Sequence, residues 1–259
     1  MTYWTKRVRE LMGEPLKSQP LVEALCELQF NLSGGSELTL PGLLYAQVRD
    51  EFPIQESVNE FIFQLGFGDT QGMQPVSQPQ RLQLKRKDGS AMLQIGQSRL
   101  IINHLQPYIS WEDFRLLILK TFTKYIDLCG EFTLKRIGLR YINHIIPPSN
   151  EGFEIDDFLT VIPVFLKPMD KPISGFQQSY EFIYNTPLGA LVHRSGVVLK
   201  PNGETVLLLD LDFISEQIEN LQDNYKTLAW LNKWLDDAHD NIEEAFISSL
   251  NPSYYESLK

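Results

Sequence analysis

Two stretches of this chain alternate apolar and polar residues with period two, and that alternation confines them to strands of a sheet covered on one face only. In the run 21–32, Val22, Ala24, Cys26, Leu28 and Phe30 fall on one side, and Glu23, Glu27 and Gln29 on the other. In the run 135–144, Arg136, Gly138, Arg140, Ile142 and His144 point one way while Ile137, Leu139 and Tyr141 point the other. One side of each strand is greasy, and the other is acidic in the first strand and basic in the second.

Local signals fill in the elements between and after these strands. A short amphipathic helix is expected over 43–52, opening after Pro41, a residue tolerated in a first helical turn. The Gly-, Gln- and Pro-rich stretch 66–80 reads as a mobile surface loop. Strands 81–86 and 91–95 flank Asp88-Gly89, the strongest short hairpin signal, and a further strand follows over 100–105. Ser110 stands as an N-cap with Asp113 placed to reach back, and Phe114, Leu117, Ile118, Thr121, Tyr125 and Leu128 recur at helical spacing up to Gly130. The second half repeats the plan with a strand over 136–145, a short helical piece over 155–159, and strands 180–184, 188–199 and 204–213. A long closing helix follows, with Tyr225, Leu228, Leu231, Leu235, Ala238, Ile242, Ala245 and Ser249 as one stripe.

The expected fold is therefore α+β: a curved, largely antiparallel sheet packed against two long helices. It reads as two similar β-α-β-β-β-α halves, 1–146 and 147–259, packed together as one globular unit.

Composition narrows the partners. With 33 Asp plus Glu against 23 Lys plus Arg, the net charge is −10, and such a field repels phosphate backbones and anionic membranes. Nucleic acid is disfavoured, and no apolar stretch is long enough to span a bilayer or to form the core of a signal peptide. Cys26 and Cys129, the only cysteines, sit among apolar residues and read as reduced, buried thiols. A cytoplasmic location is expected.

The candidate site is the polar face formed by Glu23 and Glu27 of the first strand with Arg136, Arg140 and His144, to which Tyr141 and Asn143 add orienting groups. Two readings stay open. Opposite charges at matched four-residue spacing make a cross-strand salt-bridge ladder. Alternatively, the planar guanidinium forks receive a phosphate or carboxylate, with His144 as an acid or base. Asp210 and Asp212 share one face of a later strand, where two hard oxygens without a third ligand nearby are a weak Mg²⁺ signal; His193-Arg194 of the preceding strand face them as ligand neighbours or as an exposed cross-strand pair. His104 and His239 lack a second ligand at zinc spacing, so no metal and no cofactor is expected. Neither a phosphate loop nor a Gly-x-Ser-x-Gly elbow occurs.

Pro20-Leu21-Val22-Glu23-Ala24 with Glu27 and Phe30, Gln94-Ile95-Gly96, Pro107-Tyr108 leading to Trp111 and Phe114, and above all Gly138-Leu139-Arg140-Tyr141-Ile142-Asn143 resemble a sporadically distributed family of uncharacterised prokaryotic proteins of about 250 residues. The likeness runs over most of the chain, including His239-Asp240, Ile242 and Phe246 of the closing helix. It implies a single cytoplasmic fold without an assigned activity, and the patchy occurrence of the family implies association with defence or mobile elements.

The expected function is a non-enzymatic binding or regulatory module. Its partner would be another protein or a second copy, held at an exposed edge strand or on the Trp230 and Trp234 side of the closing helix. The alternative is an enzyme acting on a phosphorylated or carboxylated small molecule at the arginine face.

Overall fold

The computed structural model describes residues 8, 10–32, 39–58, 61–62, 76–77, 81–96, 98–148, 153–161, 175–199, 204–216, 218 and 224–259. Its strands are β1 (Leu21–Leu32), β2 (Ile54–Val58), β3 (Phe61–Ile62), β4 (Val76–Ser77), β5 (Arg81–Lys85), β6 (Ala91–Ile95), β7 (Arg99–Leu105), β8 (Phe132–Ile145), β9 (Gln177–Asn185), β10 (Leu188–Leu199) and β11 (Thr205–Ser215). Its helices are α1 (Leu40–Val48), α2 (Trp111–Cys129), α3 (Asn224–Ser249) and α4 (Pro252–Ser257), with a 3-10 turn at Ile155–Asp157. The class is α+β, with nine strands in one open antiparallel sheet of order β2-β5-β6-β7-β1-β8-β11-β10-β9. Strands β3 and β4 form a separate two-stranded ribbon. No described helix is long and apolar enough to cross a membrane.

Outward from β1 run β7, β6, β5 and β2, and outward from β8 run β11, β10 and β9. Each opening strand thus neighbours the last strand of its own meander, and a long helix follows each meander in sequence. The expected β-α-β-β-β-α plan lacked β2 and the β3–β4 ribbon, and a 3-10 turn stands where the second half's first helix was expected. Most of the stretch 66–80 lies outside the described residues; Val76–Ser77 within it form β4.

The chain divides into two compact units. The central unit comprises Cys26–Ile137 and Ile218–Leu228. Its hairpin closes as the Asp-Gly pair predicts: Gly89 adopts φ +74°, and the Arg86 N–H donates to the Ala91 carbonyl at 3.0 Å. Helix α2 starts at the expected cap, where Ser110 Oγ accepts from the Asp113 N–H at 3.1 Å, and ends at Gly130, whose φ of +67° suits a residue without Cβ. Phe30 of β1 stacks on Tyr125 of α2 at 4.8 Å and meets Phe132 edge-on, so the greasy side of the strand lies under the helix. Helix α1 begins at Leu40, three residues before the expected start, and holds Pro41 in its first turn, where the missing N–H has no helical partner to lose. Cys26 and Cys129 are free and buried.

The terminal unit comprises Met1–Leu25, Gly138–Gln217 and Ala229–Lys259. Leu231, Leu235, Ala238, Ile242 and Ser249 of the predicted stripe of α3 are buried, joined by Trp234, whereas Tyr225 at the stripe's expected start is exposed because the buried face begins a turn later. Phe213 of β11 meets Trp234 edge-on at 6.0 Å, and the indole N–H donates to Ser215 Oγ at 2.9 Å. The expectation that Trp234 anchors a partner is therefore corrected: its ring is buried and its N–H is satisfied. Trp230 is half-buried and stacks on it at 6.4 Å.

Candidate functional site

In the central unit, Arg136 Nη1 donates to Glu27 Oε1 at 2.7 Å, and Gln29 Nε2 donates to the same oxygen at 2.6 Å. Arg99 of β7 brings Nη1 to 3.9 Å from Glu27 Oε2. One carboxylate thus holds guanidinium groups from both sides, as the cross-strand ladder predicts for Glu27 and Arg136. On the same sheet, Gln83, Gln94 and Asn103 form an amide row, with Gln94 accepting at 3.4 Å and donating at 3.1 Å.

In the terminal unit, Arg140 makes a bidentate pair with Asp210, Nε to Oδ1 and Nη2 to Oδ2, each at 2.7 Å. Arg194, in register with Asp210 on β10, adds Nη1 to Oδ2 at 3.3 Å and lies 3.7 Å from Asp212. The hydrogen bonds it donates to Asp210 hold the Arg140 guanidinium even more firmly protonated than usual, and Asp212 and Glu23 add attraction. Arg140 thus reaches beyond the first strand to β11, whose buried carboxylate offers two oxygens to the fork. Strand alternation also separates the other candidates. Tyr141 and Asn143 are buried on the opposite face, where Tyr141 meets the His239 ring at 5.9 Å and Asn143 Nδ2 donates to the Leu209 carbonyl at 3.2 Å. They do not orient a ligand beside Arg140. His144 is half-buried, and its backbone N–H donates to the Pro20 carbonyl at 2.8 Å.

Chemically, each unit holds occupied forks: in the central unit Arg136 meets a carboxylate oxygen at 2.7 Å, and in the terminal unit Arg140 meets one at 2.7 Å and Arg194 one at 3.3 Å. The neighbouring His193 points the other way, its Nε2 lying 2.9 Å from the Ser249 hydroxyl of α3. That hydroxyl donates to the Ala245 carbonyl at 2.6 Å, so it accepts from His193, and burial pushes the imidazole below its ordinary pKa. Among the described residues, His239, Asp240 and Glu243 bring one ligand atom each within 4.8 Å of one another. This is the arrangement that could hold a divalent cation, and the i, i+4 spacing of His239 and Glu243 is the signal that a search for paired histidines passes over.

Sequence reasoning also missed the character of β9. The strand ends the sheet beyond β10, and its register with β10 runs unbroken from Gln177–Gly196 to Asn185–Leu188. Tyr180, Phe182 and Ile183 are 45%, 50% and 73% exposed. Its nine residues, QQSYEFIYN, contain one charge and no lysine or proline. The devices that blunt a sheet edge (bulges, prolines, lysines, shortness) are absent from this strand. No protein-family model matches the chain, and a search of curated proteins returns no similar protein.

Proposed function

We propose that the protein is a non-enzymatic binding module that accepts a partner's strand along β9. The observation that carries the reading is this strand itself: about 30 Å of antiparallel edge at the usual rise, with Tyr180, Phe182 and Tyr184 along one face, Ile183 on the other, and no proline, lysine or bulge among its described residues. Backbone hydrogen bonding to such an edge supplies affinity, and the exposed Tyr180, Phe182 and Ile183 supply contact area. The alternative of an enzyme acting on a small anion draws less support, because its guanidinium groups already hold Glu27 and Asp210. Association with defence or mobile elements, implied by the family the sequence resembles, belongs to the same proposal.

A titration of isotope-labelled protein with the free peptide of residues 177–185 tests the reading. Saturable resonance shifts confined to β9 and β10 are expected, with none from a scrambled peptide. Shifts scattered over the sheet, or none at all, would overturn it.

A further inference from the structure

We infer that the strand received by β9 is β9 of a second copy of this chain, antiparallel and centred on Phe182; this rests on the reading of β9 as a binding edge. The argument begins with the backbone. The Val197 N–H donates to the Phe176 carbonyl at 3.0 Å, one step beyond the Gln177–Gly196 pair, so even-numbered residues of β9 turn their backbone groups toward β10 and odd-numbered ones turn outward. The outward N–H and C=O groups along the core of the strand are those of Ser179, Glu181 and Ile183.

A two-fold pairing about Phe182 makes Phe182 face its own copy as a non-hydrogen-bonded pair, the kind in which side chains lie closest. Glu181 and Ile183 then exchange backbone hydrogen bonds with Ile183 and Glu181 of the second copy. Tyr180, Phe182 and Tyr184 are spaced symmetrically about the centre, so the pairing sets Tyr180 against the second copy's Tyr184 and Phe182 against its equivalent. One face of the joint becomes a continuous ladder of six aromatic side chains, which cross-strand pairing favours.

Charge selects the same centre. A pairing centred on Glu181 would set two carboxylates opposite each other, whereas the Phe182 centre sets Glu181 against Ile183. The strand carries one charge in nine residues of a chain whose net charge is −10, which makes it a place where two such molecules can approach.

The experiment uses the full chain. Sedimentation across a concentration series is expected to show a reversible monomer–dimer equilibrium, abolished by Phe182→Lys, which sets two ammonium groups on the two-fold axis. Register is read from cysteine cross-linking under a mild oxidant, with Cys26 and Cys129 buried and out of reach. Phe182→Cys is expected to cross-link to itself. Tyr180→Cys alone is expected not to, and the Tyr180→Cys/Tyr184→Cys double variant is expected to do so. A monomer at every concentration, or a dimer in which Phe182→Cys stays uncross-linked, would overturn the inference. Saturable binding of the 177–185 peptide without a dimer of the full chain would overturn the pairing alone, whereas absence of peptide binding would overturn both readings, so the two failures are distinguishable.

Discussion

Arg140 and Asp210 meet fork to fork, with two nitrogens on two oxygens at 2.7 Å, and Arg194 closes on the same carboxylate from the neighbouring strand. The three side chains act as one unit, because Asp210 is buried while both arginines keep about a third of their side-chain surface in water. Losing one arginine leaves the carboxylate with the other, and solvent screens the remainder. We expect Arg140→Ala and Arg194→Ala each to cost about 1–2 kcal/mol. The double variant should cost more than their sum, about 3–5 kcal/mol, since it strands a buried charge. Urea denaturation of the four proteins checks this, and simple additivity would contradict it.

The same pairing predicts silence toward small anions. In a thermal-shift series with nucleotides, polyphosphate and organic acids, wild type and Arg140→Ala should show equal changes in melting temperature at each ligand concentration. A ligand that raises the melting temperature of wild type alone would restore the anion-pocket reading.

Two buried imidazoles make the fold sensitive to acid. Burial lowers the pKa of His193, outweighing its own backbone and the charge of Asp210, and its Nδ1 is buried with no hydrogen-bond partner among the described side chains. Burial likewise lowers the pKa of His104 in the central unit. Below the ordinary value of 6.5 the unfolded chain binds protons that these folded imidazoles refuse, so their contribution is present above that pH and is lost as the pH falls through it. Denaturation midpoints are expected to drop between pH 7 and pH 5, and His193→Gln should flatten that dependence. An unchanged slope would show that His193 is not a source.

Glycine at 189 is required by contact, not by dihedral angle. A Cβ there would sit 2.3 Å from the Ile214 carbonyl oxygen and 2.7 Å from Ser215 Oγ, and a Cβ at Gly196 would sit 2.6 Å from the Phe176 carbonyl oxygen. Both alanine variants should force β10 away from a neighbouring backbone and lose about 1–3 kcal/mol. Gly42, with open space around its Cβ position, is the control expected to tolerate alanine in differential scanning calorimetry.

Much of this was legible from local signals. Asp88-Gly89, the Ser110 cap and the 3.6-residue stripe of α3 each act within a few residues, and the structure keeps the first two and the stripe from Leu231 to Ser249. The Glu27–Arg136 rung was also readable, because both strands carry charge at matched spacing. The pairing of Arg140 with Asp210 was not, because it requires knowing that β8 lies beside β11 as well as β1. Edge position hid β9 for a related reason. Tyr180, Phe182 and Ile183 read as core residues in any single strand, and only the strand order reveals that nothing among the described residues pairs beyond them. Likewise β2, Ile54–Val58, carries little alternation because most of it is exposed at the other end of the sheet.

The most direct test of the account is amide hydrogen exchange at Glu181 and Ile183, followed across protein concentration by NMR. The account predicts that both amides slow markedly as concentration rises, and that Phe182→Lys returns them to the fast exchange of an open edge. Fast exchange independent of concentration in wild type, identical to that of the variant, would contradict it.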